Sequence, residues 1–247
     1  MTELLLIGIG TGNPDHITRE GIAAIRTAEL ILIPRKGADK SDLAGLRERI
    51  IDEATDTAPQ IAYFDIPARR AEDGYLRGVD EWHDAIALRW RAAMDEHPGA
   101  TRVALLIWGD PSLYDSSLRI AALLEPQPKI RVVPGITALQ ALTAAHAIPV
   151  NEIGAPFLVT TGRRIREEGW PQDVETAAVM LDGECSFQTL DMSGYHIWWG
   201  AYVGMAEQLL IAGPLAKVAD RIVETRARAR ADHGWIMDIY LLKKSVI

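Results

Sequence analysis

Gly8-Ile9-Gly10-Thr11-Gly12-Asn13-Pro14 follows the apolar run Leu4 to Ile7 and leads into a helical pattern, and this stretch decides how the first half of the chain folds. An apolar run that enters glycines and leaves as a helix marks a buried parallel strand, with the turn at its carboxyl end. Glycine at such a turn permits positive φ and lets a ligand approach bare backbone. A second turn of this kind, Trp108-Gly109-Asp110-Pro111, follows Val103 to Ile107. The two loops are expected to line one crevice at the strand ends.

Working outward, the first half alternates strand and helix. Strands are expected at Leu4–Ile9, Leu30–Ile33 (stopped by Pro34), Ile61–Ile66, Val103–Ile107 and Ile130–Val133. Between them the helices are Thr18–Ala28 with Thr18 as N-cap, one opened by Ser41 and Asp42 with Leu43, Leu46, Ile50 and Ala54 on one face, and a long one carrying Trp82, Ile86 and Trp90 four apart. Shorter helices follow at Leu118–Leu124 and Ala138–Ala147. Pro149 to Pro156 reads as the link between an N-terminal α/β domain (1–150) and a C-terminal one (151–247). Beyond it, strands are expected at Phe157–Thr160, Ala177–Leu181, His196–Val203, Gln208–Ala212 and Trp235–Leu242, with one long helix at Leu215–Ala231. The step from Val203 to Gln208 is too short for a parallel crossover, so the second sheet should be mixed.

With 247 residues and 48% hydrophobic content the chain can bury a substantial core. A formal charge of −8 argues against nucleic-acid phosphate as the main partner. Cys185 is the single cysteine, and the six histidines form no ligand-spaced cluster, so neither a disulfide nor a metal is expected. The amino terminus lacks a basic signal region and no apolar run reaches bilayer length, which sets the expectation of a cytoplasmic protein without membrane association.

Taken singly, the motifs are ambiguous. Gly8, Gly10 and Gly12 put the third glycine one place early for a dinucleotide fingerprint, and Pro34-Arg35-Lys36 stands where its acidic residue belongs, leaving an NADP-dependent oxidoreductase as the minor reading. Turn chemistry alone accounts for Gly109-Asp110-Pro111, and helix capping for Thr137 in Pro134-Gly135-Ile136-Thr137-Ala138.

In order, however, the glycine loop with Thr18 behind it, Gly109-Asp110-Pro111, Val133-Pro134-Gly135-Ile136-Thr137-Ala138 and Gly213-Pro214-Leu215 resemble the class III, or tetrapyrrole, methyltransferase family over essentially the whole chain. The resemblance implies a two-domain α/β protein, a homodimer, that binds S-adenosylmethionine between its domains largely through main-chain groups. By position the donor contacts would be Thr11, Trp108, Gly109, Asp110, Leu113, Thr137 and Ala138, then Met180, Leu181, Tyr202 and Val203 from the second domain. The chain departs from the family pattern at Thr11, where proline is usual, and at Met180-Leu181-Asp182-Gly183. A narrower likeness, carried by Leu106 to Ser116, Val179 to Phe187 and Tyr195 to Ala201, is to the deacetylating branch of the family. It implies methylation of C-1 of precorrin-5 with loss of an acetyl group as acetic acid, in cobalamin biosynthesis.

Methyl transfer from a sulfonium needs alignment and exclusion of water, whereas acetyl loss also needs an attacking water and a stabilised oxyanion. Asp15, His16, Tyr114, Asp182 and Glu184 lie in or beside the expected crevice, and none is singled out as the base. A substrate rich in carboxylates calls for basic side chains: Arg35, Lys36 and Lys40 after the second strand, and Arg163, Arg164 and Arg166 in the second domain, are assigned to it. Arg69, Arg70 and Arg77 read as solvated surface. Another C-methyltransferase of the same family and a non-catalytic precorrin carrier remain as alternatives.

Overall fold

The computed structural model describes residues 1–35, 41–55, 57, 59–68 and 75–244. Lys36, Lys40, Arg69 and Arg70 lie outside the described residues. Two compact units divide the chain, Met1–Thr137 and Ala138–Ile247.

In the first unit β1 (Glu3–Gly8), β2 (Leu30–Arg35), β3 (Gln60–Asp65), β4 (Arg102–Ile107) and β5 (Lys129–Val133) form a wholly parallel sheet in the order β3-β2-β4-β1-β5. The connections carry α1 (Arg19–Thr27), α2 (Ser41–Ala54), α3 (Tyr75–Asp95) and α4 (Ser117–Ala121). Leu4, Leu6, Leu30, Leu32, Val103 and Leu105 bury one face of the sheet against Ile86 and Trp90 of α3 and Ile120 of α4. The alternate residues face α1 and α2: a Cβ built on Gly21 of α1 would lie 3.6 Å from Ile7. Thus α1 leaves β1 on one face and α4 leaves the neighbouring β4 on the other. The topological switch point, where such sheets bind ligands, falls between β1 and β4.

Thr18 caps α1 as expected, its hydroxyl accepting from Gly21 N at 3.0 Å. Two expectations need correction. The second strand continues through Pro34 to Arg35. Arg35 O accepts from Ile66 N at 3.1 Å, so Pro34 turns its nitrogen the other way, where pairing with β4 has already ended at Leu32, and the ring costs no ladder bond. The helix expected to reach Leu124 ends at Ala121, because Leu123 and Leu124 bond three residues back, to Ile120 and Ala121.

The second unit holds β6 (Leu158–Thr161), β7 (Thr176–Met180), β8 (Tyr195–Ala201), β9 (Leu209–Pro214) and β10 (Asp238–Lys244) in the order β6-β7-β10-β8-β9. Only β6 and β7 run parallel, so the sheet is mixed, and β8 and β9 form the antiparallel pair that the short step demands. The helices are α5 (Ala138–His146), α6 (Gly162–Glu168) and α7 (Leu215–His233). The helix α5 belongs here, ahead of the link expected at Pro149 to Pro156: Leu139 and Leu142 pack with Ala178, Val203, Ile239 and Leu241, and His146 Nε2 sits 3.0 Å from Trp199 O. Among the described residues no helix is long and apolar enough to cross a membrane.

Glu29, just before β2, ties that strand to β4 through Thr101 N (2.6 Å), Thr101 Oγ1 (3.0 Å) and Arg102 N (3.1 Å). These bonds, led by the one from Thr101 N, hold its carboxyl down at about 2. A depressed carboxylate contributes stability that is present above its unfolded value and lost as pH falls towards the folded one. The melting temperature should therefore decline between pH 4.5 and 2 partly on this account, and Glu29→Gln should flatten that limb. Identical acid limbs in a thermal-melt series would remove Glu29 from the explanation.

Candidate active site

The adjacent strands β4, β1 and β5 of the first sheet end in loops that are fastened to one another. Beyond the last parallel pair, Gly8 with Ile107, the chains turn and bridge: Gly109 N donates to Gly10 O at 2.7 Å and Gly10 N to Gly109 O at 3.3 Å. The third loop closes in from β5. A Cβ on Gly135 would lie 2.1 Å from Gly109 O, and one on Gly8 would lie 2.6 Å from Gly135 N. Main chain meets main chain here, which only glycine allows.

Asp110 latches this junction. Its Oδ2 accepts from Gly135 N at 2.9 Å and its Oδ1 from Ser112 N at 2.8 Å. Burial opposes ionisation, but the bonds from Ser112 and Gly135 outweigh it and hold the carboxyl below the ordinary range. Leu113 N returns to Asp110 O at 3.2 Å, completing the turn. Gly109 takes φ +62, and a side chain there would meet nothing closer than Thr137 Cα at 3.7 Å. Thr137 is buried beside it. Thr11, Trp108, Gly109, Asp110, Leu113 and Thr137 are thus placed on one set of strand ends, and Ala138 opens α5 in the second unit.

Three buried polar atoms on the two bridged loops have no partner among the described residues: Thr11 Oγ1, His16 Nδ1 and Trp108 Nε1. Buried hydroxyls and ring nitrogens are nearly always hydrogen-bonded, so these positions suit a ligand. Among the described residues the indole nitrogens of Trp90 and Trp235 are also unpartnered, but Trp90 sits inside one apolar cluster and Trp235 packs against another. Beneath the β4 loop the buried Arg47 donates from Nε to Leu106 O at 3.0 Å and sets its guanidinium 5.3 Å from the Trp108 ring. Burial pulls Arg47 down to about 10 while the charge of Asp115 pulls it back, so it stays a cation at neutral pH.

In the second unit Met180 ends β7, and Leu181 follows with φ +53 and 65% of its surface exposed. An apolar side chain held out on left-handed backbone needs something to hold it. Asp182 does so: it is buried and accepts from Ser186 N (2.6 Å), Ser186 Oγ (2.8 Å), Glu184 N (3.1 Å) and Tyr240 OH (2.7 Å). Gly162 makes room for it, since a Cβ there would lie 2.2 Å from Asp182 Cγ. Arg226 secures the same turn, donating to Asp182 O at 2.9 Å and Gly183 O at 3.3 Å while pairing through two nitrogens with Asp238, at 2.9 and 3.2 Å. Tyr202, also at positive φ, sends its ring into the core, with its hydroxyl 2.5 Å from Trp235 O; Val203 is buried next to it.

The acid–base candidates separate on this geometry. Asp182 is consumed by four hydrogen bonds, and Glu184 pairs with Arg166 at 3.3 Å. Asp15 is exposed, and Tyr114 is 43% exposed at φ +49. His16 is the candidate with a buried, unsatisfied ring atom. Of the basic residues, Arg35 lies exposed with its guanidinium 3.5 Å over the Tyr63 ring, and Arg164 pairs with Glu168 at 2.8 Å on the surface of α6, next to Arg163. Among the described residues no group of three or more His, Cys, Asp or Glu is placed to hold a metal.

Arg47, Arg226, Asp238 and Tyr240 were not singled out from sequence. For Arg226 a signal existed: Leu215, Val218, Ile222, Arg226 and Ala229 share the buried stripe of α7, and one charge inside such a stripe asks for a partner.

Residues 3–219 match the family model described as tetrapyrrole (corrin/porphyrin) methylases. The chain is 45% identical to the precorrin-6A synthase [deacetylating] of Sinorhizobium sp., over 99% of this chain and 96% of that one. Among solved structures it resembles a cobalamin synthesis related protein (CobF) from Corynebacterium diphtheriae, with a TM-score of 0.84 and 36% identity over 99% of both chains. It also shares the fold of the uroporphyrin-III C-methyl transferase from Thermus thermophilus complexed with S-adenosyl homocysteine, at TM-score 0.62, 20% identity and coverage of 98% and 97%.

Proposed function

The chain belongs to the tetrapyrrole (corrin/porphyrin) methylase family, and from that premise we propose that it methylates C-1 of precorrin-5 and expels the acetyl group as acetic acid, giving precorrin-6A in cobalamin biosynthesis. The observation that carries the reading is the junction of the β1, β4 and β5 loops at the switch point, with unpartnered buried polar atoms on it. Likeness over the full length to a deacetylating precorrin-6A synthase supports the choice of reaction.

S-adenosylmethionine, when bound, supplies the activated methyl group. The residues present fit it: Gly109 leaves a space at the strand end that a side chain would enter, and Trp108 offers an indole N–H with no partner among the described residues. Trp108, Gly109, Asp110, Leu113, Thr137 and Ala138 would hold the donor, with Met180, Leu181, Tyr202 and Val203 as the contacts of the second unit. Asp110 keeps the loops in register and touches no reacting atom. Arg35 and Lys36, with Arg163 and Arg164, would receive carboxylates of the tetrapyrrole, for which guanidinium forks are suited. The protein would act as a homodimer, a reading that rests on the family resemblance, and in the cytoplasm.

Calorimetry tests the donor assignment. S-adenosylhomocysteine should bind and NADPH should not; nicotinamide binding with no response to the sulfur ligand would restore the oxidoreductase reading. Arg35→Ala should raise KM for the tetrapyrrole severalfold, more at low salt, and leave donor affinity unchanged, since an exposed ion pair is screened. A fall in donor affinity instead would reassign that end of β2.

A further inference from the structure

We propose, resting on the deacetylating reading above, that Thr11 and His16 form the subsite that handles the acetyl group, with Thr11 Oγ1 hydrogen-bonding the acetyl oxygen and His16 Nδ1 receiving a proton from the attacking water. Both atoms are buried and have no partner among the described residues, and Thr11 as a whole is 8% exposed. Their placement is over-determined by backbone. Gly10 is tied to Gly109 by two hydrogen bonds, and His16 packs so closely on Gly10 that a Cβ there would lie 2.9 Å from His16 Cβ. His16 N donates to Asn13 O at 2.9 Å, and Asn13 Oδ1 accepts from Asp15 N at 2.9 Å, fixing the short 3-10 turn that carries the ring. A side chain held this firmly with its polar atom unsatisfied is preorganised for a partner from outside the protein.

Acetyl loss needs such a pair, and methyl transfer does not. Water adds its oxygen to the acetyl carbonyl carbon and gives up one proton, which His16 takes. The carbonyl oxygen becomes an oxyanion, and the Thr11 hydroxyl donates to it. Collapse of that adduct breaks the bond to the ring carbon and releases acetic acid. The bond's electron pair stays on the macrocycle, where the ring carbon then takes the donor's methyl. The remaining candidates are spent or exposed: Asp182 accepts four bonds, Glu184 is paired and Asp15 is exposed. This moves Thr11 from the donor, where position alone put it, to the acetyl side.

The test uses the whole protein with precorrin-5 and S-adenosylmethionine, following acetate and methylated product together. His16→Asn keeps a polar atom near Nδ1 but takes no proton, and should lower both rates on the order of a hundredfold or more. Thr11→Val is isosteric and should lower both about tenfold or more, yet melt no lower than the parent, because it removes an unsatisfied buried hydroxyl. Thr11→Ser should recover most of the rate. S-adenosylhomocysteine affinity should be unchanged in all three. Full acetate release by both His16→Asn and Thr11→Val would overturn the inference while leaving the reaction assignment standing, and donor affinity falling in step with rate would give these atoms to the donor instead. No acetate from the parent protein would reject the underlying reading, and the inference with it.

Discussion

Gly135→Ala should cost the protein its donor site: at least a tenfold loss of S-adenosylhomocysteine affinity, with a destabilisation of roughly 1–3 kcal/mol. The added carbon would sit 2.1 Å from Gly109 O and 2.7 Å from Gly8 C, and no side-chain rotation relieves contacts that are main chain on both sides. To admit it, the β5 loop must back away from the β1–β4 bridge, stretching the 2.9 Å bond from Gly135 N to Asp110 and with it the turn that carries Gly109 and Leu113. Gly109→Ala is the informative control. Its Cβ has 3.7 Å of room, so only the φ of +62 resists, at a cost of about 1 kcal/mol. Melting should therefore rank Gly135→Ala well below Gly109→Ala, while affinity should fall in both, since a Cβ on Gly109 enters the space assigned to the donor. Wild-type affinity in Gly135→Ala would mean that the three-loop junction is not what shapes the site.

Arg226→Met should be the most destabilising change in the second unit, by about 3–5 kcal/mol, because among the described residues it leaves buried Asp238 with Trp199 Nε1 alone, at 3.0 Å, to face its charge. It also frees the carbonyls of Asp182 and Gly183, so Leu181 should lose its fixed outward position. Burial already pushes the Asp238 carboxyl up, against the pull of Arg226 and Trp199. Without Arg226 that push is opposed by the Trp199 bond and no longer by a cation, and a carboxyl raised in the folded state gains stability as pH falls through its value. The deficit of Arg226→Met relative to the parent should thus shrink on acidification. Adding Asp238→Leu to Arg226→Met should recover much of the loss, since the cost lies in the stranded charge. Denaturant melts of the two variants across pH would decide this; a deficit independent of pH would mean the carboxylate is not what is stranded.

Much of this architecture can be read from the chain itself. The runs before Gly8 and Gly109 mark central parallel strands because they are apolar on both faces, and Thr18 marks the start of α1 because its hydroxyl has an orphan N–H to serve. The spatial order is another matter: β4 inserts between β2 and β1 through contacts remote in sequence, and the switch point depends on that insertion. Pro34 shows the same limit, since whether proline breaks a strand depends on which neighbour its nitrogen faces. The loop motifs gave the location of the candidate site. Its chemistry rests on a negative property, the lack of partners among the described residues at Thr11, His16 and Trp108, which no local pattern encodes.

The most direct measurement incubates the purified protein with precorrin-5 and donor carbon-labelled in its methyl group, then reads product mass and acetate in the same sample. The account predicts one labelled methyl gained and one acetate released per turnover, with neither event outrunning the other. Methylation without acetate, or transfer of label to no tetrapyrrole at all, would contradict it.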